Sequence, residues 1–192
     1  MMPENRLSTT PVTSSFIGAR ALASFEKVDY EEGPIALTDV TQGLQAQRWR
    51  MRLIDNEFFW LDAPSVPEYI AYTAIGSSEV SFTFDQQGRL AIAYVQNGQP
   101  KLYWYDSAIQ GFTVLNLPAD AITPKILLDD KRFTQSSVAD IILQYIRGGQ
   151  LRMRDQRGRF LTEYVLSPGP WTAIAKMGFN LGLRIQTLCR YF

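Results

Sequence analysis

Residues 90–106, LAIAYVQNGQPKLYWYD, contain the pattern that decides the fold class. Two strand-like runs, residues 90–95 and 101–105, flank the dipeptide Asn97-Gly98. Asn-Gly in this position is the strongest short-range indication of a β-hairpin, because both residues tolerate the positive φ of a tight two-residue turn. The stretch therefore predicts two antiparallel strands joined by a tight turn.

Further strands are predicted on both sides of this hairpin. Residues 48–53 place three arginines on one face and Trp49, Met51 and Leu53 on the other, a period of two that is typical of a half-buried strand. Pro64 and Pro67 predict a break after the aromatic run at 57–61. The other predicted strands are 81–84, 112–117, 126–128, 141–146, 151–153, 160–166 and 183–192.

Two turn motifs recur along the chain. Tyr94, Asn97-Gly98 and Leu102 match Tyr145, Gly148-Gly149 and Leu151 at offsets of 51, 51 and 49 residues. The pentapeptide DQQGR at 85–89 returns as DQRGR at 155–159, an offset of 70 residues. Because the offsets disagree, the sequence indicates recurring hairpin turns and a degenerate meander unit, not a clean tandem repeat.

Short strands separated by turns every 8–12 residues predict an all-β fold of antiparallel hairpins or meanders, arranged as a sandwich, a barrel or part of a propeller. Two meander units are too few to close a propeller, and open sheet edges must be covered, charged or paired with another chain. We expect at most one short helix, near residues 171–177. The first residues of the chain, to about position 15, are rich in Ser, Thr, Pro and Asn and predict an extended N-terminal arm at 1–24, which is either a frayed terminus or a segment that orders against a neighbouring subunit. Residues 25–192 predict a single β-rich domain, with Cys189 as an inward-facing, inert thiol.

The composition excludes several classes of enzyme. The 192 residues include no histidine and one cysteine, so neither a Ser-His-Asp nor a Cys-His catalytic group can form, nor an imidazole or all-cysteine metal site. The phosphate-binding glycine motifs and the G-x-S-x-G motif are also missing. We therefore predict that the protein is not an enzyme and needs no cofactor.

A pair of carboxylates could still act as in a glycosidase, without histidine or cysteine. The candidates are Asp106, Asp129, Asp130, Asp140, Asp155 and Glu163. Most of them lie beside turn glycines or in polar loops, where aspartate is favoured for turn geometry. We therefore interpret them as turn residues.

Charge is balanced overall but clustered locally. Lys and Arg total 19, as do Asp and Glu, which argues against general nucleic-acid binding. An acidic patch consists of Glu26, Asp29, Glu31 and Glu32, and a basic patch consists of Arg147, Arg152, Arg154, Arg157 and Arg159.

The basic patch is open to three interpretations: a solvated strand face, a contact for an acidic subunit surface, or a nucleic-acid contact. In the second interpretation, reversing Arg152 and Arg154 to Glu would impair assembly and leave the monomer intact. The sequence predicts neither a membrane-spanning helix nor a secretory signal, so we expect no membrane role.

Several strings carry a family resemblance: SFE at 24–26, YEEGPIAL at 30–37, FDQQGR at 84–89, LDDKR at 128–132, YIRGGQL at 145–151 and RDQRGRF at 154–160. Together they resemble a group of virion structural, tail-associated proteins of tailed bacteriophages. The resemblance implies a non-enzymatic component of the virion, at the tail or the head-to-tail interface. It also implies a homo-oligomer that contacts other tail or connector proteins. Thr187 and Cys189 stand where the group carries bulkier residues.

A second interpretation comes from the aromatic residues. A β-meander module of a receptor-binding tail fibre would bind carbohydrate, and Trp60, Trp104 or Tyr105 on one face would suit stacking on a sugar ring. Consecutive aromatics alternate between the faces of a strand, so part of the run at 103–105 is expected in the core.

Overall fold

The computed structural model describes residues 35–37, 48–129, 140–179 and 185–191. The predicted arm at 1–24, the acidic patch and Asp130 lie outside these residues. All regular structure in the described ranges is β-strand, and every pair of neighbouring strands is antiparallel. The predicted all-β fold is confirmed. The same ranges contain no helix long and apolar enough to cross a membrane.

Three four-stranded sheets and one two-stranded sheet follow each other along the chain, each a simple antiparallel meander. Sheet A consists of β1 (Ile35–Leu37), β2 (Arg48–Ile54), β3 (Phe58–Ala63) and β4 (Val66–Thr73). Sheet B consists of β5 (Ser77–Phe84), β6 (Leu90–Gln96), β7 (Gln99–Asp106) and β8 (Gly111–Asn116). Sheet C consists of β9 (Ala121–Asp129), β10 (Asp140–Arg147), β11 (Gln150–Asp155) and β12 (Tyr164–Ser167), and sheet D of β13 (Ala173–Phe179) and β14 (Ile185–Arg190).

The sheets stack face to face in chain order, with a core cluster between each consecutive pair. Met51 and Phe59 meet Ile92 between sheets A and B, and two further clusters lie between sheets B and C and between sheets C and D. The first strands of consecutive sheets also contact one another. This is the arrangement of successive propeller blades, and no core cluster of the described residues joins sheet D back to sheet A. The described parts of the four sheets therefore form an open arc.

The second strands of sheets B and C are buried on both faces. In β6, Ala91 and Ala93 pack toward sheet C, whereas Ile92 and Tyr94 pack toward sheet A. The strand β10 has the same double burial between sheets B and D. Because neither face meets water, these two strands are nearly continuous apolar runs without polar alternation.

Consecutive sheets are joined by a repeated backbone hydrogen bond near the turn between the second and third strands. The segment leading into the next sheet donates each time: Ser77 N to Asn56 O (2.7 Å), Leu117 N to Pro100 O (2.9 Å) and Trp171 N to Gly149 O (2.8 Å). The matched turns at 97–98 and 148–149 thus occupy equivalent places in sheets B and C. The predicted degenerate meander unit is confirmed.

The first strands of sheets B and C carry equivalent β-bulges. Glu79 in β5 and Thr123 in β9 both have a positive φ, 48° and 49°, beside shifts in strand register. The Ser81 hydroxyl accepts from Ile126 N (3.1 Å), and the Thr123 hydroxyl accepts from Ile174 N (3.0 Å). Bulges bend a strand, and here they place a hydroxyl that ties each first strand to the next.

Residues 171–177 do not form the short helix that the sequence allowed. The chain forms β13 there and pairs with β14, with Ile174 and Met177 buried in the cluster between sheets C and D. Alanine, lysine and methionine favour a helix, but strand pairing and burial outweigh that small preference. The predicted closing strand is confirmed as β14. Cys189 is half-buried and faces inward, and burial raises the pKa of its thiol.

Two further expectations differ in detail. The strand predicted at 160–166 begins only at Tyr164, because Phe160 lies in a turn with φ 57° and turns its side chain into the core. Pro67 does not break the chain but lies within β4. Since β4 is an edge strand of sheet A, a residue without an N–H is tolerated there.

Candidate functional site

The loop at 156–163, which connects β11 to β12, fills the outer part of the space between sheets B and C, here called the B–C groove. Its Phe160 ring is fully buried and meets Trp104 edge to face, with centroids 4.9 Å apart. Asp155 shapes the start of the loop, since its Oδ1 accepts from Gly158 N (2.6 Å) and its carbonyl from Phe160 N (2.8 Å). The loop therefore contributes Phe160 to the core, whereas the neighbouring Leu161 is exposed.

Three arginines of the basic patch meet at one carboxylate, Glu163, at the end of this loop. Arg147 and Arg152 lie 3.3 Å and 3.1 Å from Oε1, and Arg154 lies 3.5 Å from Oε2. The Tyr145 hydroxyl donates to Oε2 as well. These five residues form the Glu163 cluster.

Arg154 is the most enclosed arginine of the cluster, with 13% of its side chain exposed. It also donates to the Tyr145 hydroxyl (2.7 Å) and to the carbonyl of Phe160 (2.9 Å). Its guanidinium therefore joins β10, β11 and the loop. A reversal to Glu would place a second carboxylate beside Glu163, so the double reversal expected to leave the monomer intact would instead disturb it.

The protonation states follow from these contacts. Burial raises the pKa of the Glu163 carboxyl, but the hydrogen bond from Tyr145 and the charges of Arg147, Arg152 and Arg154 hold that pKa below its usual value. Burial and the bond to Glu163 raise the pKa of Tyr145 to about 12. At neutral pH the cluster thus contains an ionised carboxylate and a neutral phenol.

All five arginines of the patch are paired within their own chain. Arg147 also bonds Asp120 (2.9 Å), Arg157 bonds Asp140 (2.8 Å), and Arg159 bonds Asp106 (2.5 Å). The positive charge of the linear segment is therefore largely balanced in three dimensions. Arg157 remains the most accessible arginine, with 73% of its side chain exposed.

Candidate catalytic carboxylates serve turns and ion pairs in this structure. Asp106 Oδ1 accepts from Ala108 N (2.9 Å), and the hydrogen bond from Arg159 lowers the pKa of the Asp106 carboxyl. Asp155 caps its own turn, and Asp140 pairs with Arg157. Within the described ranges, no group of three or more His, Cys, Asp or Glu side chains is placed to hold a metal ion.

The space between the outer strands of sheets A and B, here called the A–B groove, is lined by stacked aromatic rings. Tyr72 stacks on Tyr103 (centroids 4.3 Å, 28°), and Tyr103 stacks on Phe112 (5.0 Å, 6°). Tyr105 meets Phe112 edge to face at 5.3 Å, and the Arg89 guanidinium lies 3.9 Å from the Tyr105 centroid.

The outer side of this aromatic stack is open. Tyr69, Phe112 and Val114 are 44%, 47% and 42% exposed. Strand register places all three on the groove side, since Tyr69 lies opposite the buried Leu61 and Val114 opposite Tyr103. The A–B groove is thus an apolar surface with a solvent-facing mouth.

The structure changes the set of aromatics available for sugar stacking. Trp104 is 4% exposed and belongs to the core between sheets B and C. Trp60 is half-buried, and Tyr105 is half-buried beneath Arg89. As expected from strand alternation, Tyr103 and Tyr105 occupy the face opposite Trp104.

No protein-family model, curated protein or solved structure matches this chain. We therefore infer a function from the geometry of the chain's own surfaces and from the sequence resemblance described above. The prediction that Arg152 and Arg154 lie on one strand face is confirmed, since both contact Glu163. The sequence did not indicate that Glu163 is their common partner or that Phe160 is a core residue, because both depend on how an eight-residue loop folds back.

Proposed function

We propose that this chain is a non-enzymatic structural component of a tailed-phage virion, a tail or head-to-tail interface protein that assembles in several copies. The observation that carries the proposal is the unequal size of the sheets. Among the described residues, sheets A, B and C have four strands each, whereas sheet D has two. The sequence resemblance to virion structural proteins supports the location in the particle.

Among the described residues, no further sheet packs on the two-stranded sheet D at its end of the arc. Ile185, Thr187 and Cys189 are half-buried, whereas the alternate residues of β14 are exposed, including Leu188 at 60%. Among the described strands, only β13 pairs with β14. An open edge beside an apolar residue invites pairing with another chain, so a neighbouring subunit would cover it in the particle.

In this mechanism the stacked sheets act as a rigid plate, and their ends and charged groups make the contacts. Arg157 is the arginine of the basic patch best placed to meet an acidic surface of a neighbouring subunit, because it is the most exposed. Charge complementarity of this kind sets the register of subunits more than their affinity. Other tail or connector proteins are the expected further partners, and nucleic acid and membrane are not.

The experiment compares Leu188→Lys with Leu161→Lys. Both leucines are exposed, at 60% and 69%, but Leu161 lies in the 156–163 loop and not at the open end. We expect the wild-type chain to form a discrete oligomer in light scattering and to co-sediment with phage particles. A lysine at 188 should weaken both, whereas a lysine at 161 should weaken neither.

Two results would contradict the proposal. One is a wild-type chain that stays monomeric and is absent from purified particles by mass spectrometry. The other is a Leu188→Lys chain that assembles as well as the Leu161→Lys control.

A further inference from the structure

The two grooves between the four-stranded sheets are filled differently by the described chain. Sheet C sends its eight-residue loop, 156–163, into the B–C groove. The corresponding connection of sheet B, between β7 and β8, is a four-residue turn at 107–110. The rings of Tyr69 and Phe112 in the A–B groove consequently remain about half exposed, at 44% and 47%.

We propose that the N-terminal segment of this chain, residues 1–34, docks in the A–B groove and inserts Phe25 against Phe112. The B–C groove supplies the precedent, because there a peptide segment inserts Phe160 against Trp104 and loses all exposure of that ring. An apolar ring placed in the A–B groove would extend the stack of Tyr72, Tyr103 and Phe112. Since the docking is within one chain, it does not depend on the virion proposal.

The length of the segment and its point of attachment permit this docking. The segment runs directly into β1 at Ile35, and β1 is at the edge of sheet A opposite to β4. Crossing the sheet to β4 covers three strand spacings, roughly 15 Å. The residues between Phe25 and Ile35 can span about 30 Å when extended. So short a tether gives a local concentration in the millimolar range, which favours the chain's own segment over a neighbour's.

Charge in the groove suits the segment as well. Arg89 lies over Tyr105 but is already paired with Asp85 (2.6 Å), whereas the Lys101 ammonium, on the same face of β7, donates to the neutral amide oxygen of Gln96 (2.8 Å). Immediately after Phe25 come the four carboxylates of the acidic patch. Phe16, the other phenylalanine of the segment, has no such acidic flank and a longer tether.

Disulfide trapping tests the docking in the full-length chain. In a Cys189→Ser background, Ser24→Cys is combined either with Val114→Cys in the groove or with Ile122→Cys on β9. Positions 114 and 122 are similarly exposed, at 42% and 45%. We expect an intramolecular disulfide for 24–114, seen as a monomer of altered mobility without reductant and confirmed by peptide mass mapping, and little for 24–122.

Three trapping results would overturn the proposal. Disulfide-linked dimers alone would show that the segment of a neighbouring copy occupies the groove. Equal trapping at 114 and 122 would show a segment without a fixed position, and no trapping at either would show that the groove has another occupant or none.

Hydroxyl-radical footprinting supplies a second readout that leaves the groove intact. Phe112 should lose protection in the Phe25→Ala variant and keep it in the Phe16→Ala control, because only Phe25 covers the ring. Equal oxidation of Phe112 in all three chains would contradict the docking of Phe25.

Discussion

The groove between sheets B and C is closed by the chain's own 156–163 loop, whereas the described residues of the A–B groove leave a row of aromatic rings half exposed. Both grooves lie between consecutive four-stranded meanders, and both are walled by aromatics of β7, Trp104 on one side and Tyr103 on the other. The difference comes from one connection, eight residues long in sheet C and four in sheet B. The length of the connection between the third and fourth strands of a sheet thus determines whether the aromatic rings in the adjacent groove are buried or exposed in the described chain.

The two DQxGR turns, at 85–89 and 155–159, show the same divergence on a smaller scale. In the first, Arg89 returns to Asp85 of its own turn and covers Tyr105. In the second, Arg159 reaches Asp106 of sheet B, 53 residues away. One motif therefore closes a hairpin and the other joins two sheets, and both arginines end beside the last two residues of β7.

Removal of the ring that fills the B–C groove should have the largest effect. We expect Phe160→Ala to lower the free energy of unfolding by about 3–5 kcal/mol, the usual cost of emptying a fully buried phenylalanine site. The matched change in the A–B groove, Phe112→Ala, should cost less, about 1–2 kcal/mol, because that ring loses mainly its stacking on Tyr103 and on the docked Phe25. Urea unfolding of both variants measures the difference, and equal losses would contradict the contrast between the grooves.

Loss of the central carboxylate should have an intermediate effect. At pH 7 we expect Glu163→Gln to lower the free energy of unfolding by about 1–3 kcal/mol, since enclosed hydrogen bonds between charged groups are lost. The control is Glu68→Gln, in the more exposed pair with Arg52, which should cost less than about 1 kcal/mol.

The loss of stability in the Glu163→Gln variant should depend on pH. Because the folded-state pKa of Glu163 lies below its unfolded value, its stabilising contribution is present above about pH 4.3 and is lost as the pH falls through the folded pKa. The stability difference between wild type and Glu163→Gln should therefore shrink in acid. A difference that stays constant from pH 7 to pH 3 would show that the charge of Glu163 does not matter.

The two turn aspartates should show the smallest difference. Asp85 is 5% exposed and accepts from Gln87 N, Arg89 N and Arg89 Nε, whereas the Asp155 side chain accepts from Gly158 N. We expect Asp85→Ala to cost about 2 kcal/mol and Asp155→Ala about 1 kcal/mol, because the first variant leaves more donors without a partner. Thermal unfolding of both variants checks the order, and a larger loss for Asp155→Ala would reverse it.

The strands and turns were predictable because their information is local. Asn97-Gly98 and the alternation at 48–53 placed a hairpin and β2 correctly. The stacking of the sheets was not predictable from the sequence, since the same turns are compatible with a sandwich, a barrel or a propeller. The partner of Arg159, Asp106, is 53 residues away in sheet B and depends on that stacking. The burial of Phe160 also depends on the stacking of sheets B and C, and this burial outweighs the preference of phenylalanine for a strand.

The open arc has a consequence for how the chain unfolds. Each core cluster of the described residues joins two consecutive sheets, so their stability is approximately a sum of nearest-neighbour terms, as in solenoid proteins. Sheets B and C each pack against two of these clusters, one on each face, whereas sheets A and D at the ends pack against one each. Among the described residues, sheet D is also the smallest, with two strands. Opening should therefore begin at sheet D and progress inward, and whatever caps that end governs the lifetime of the whole stack.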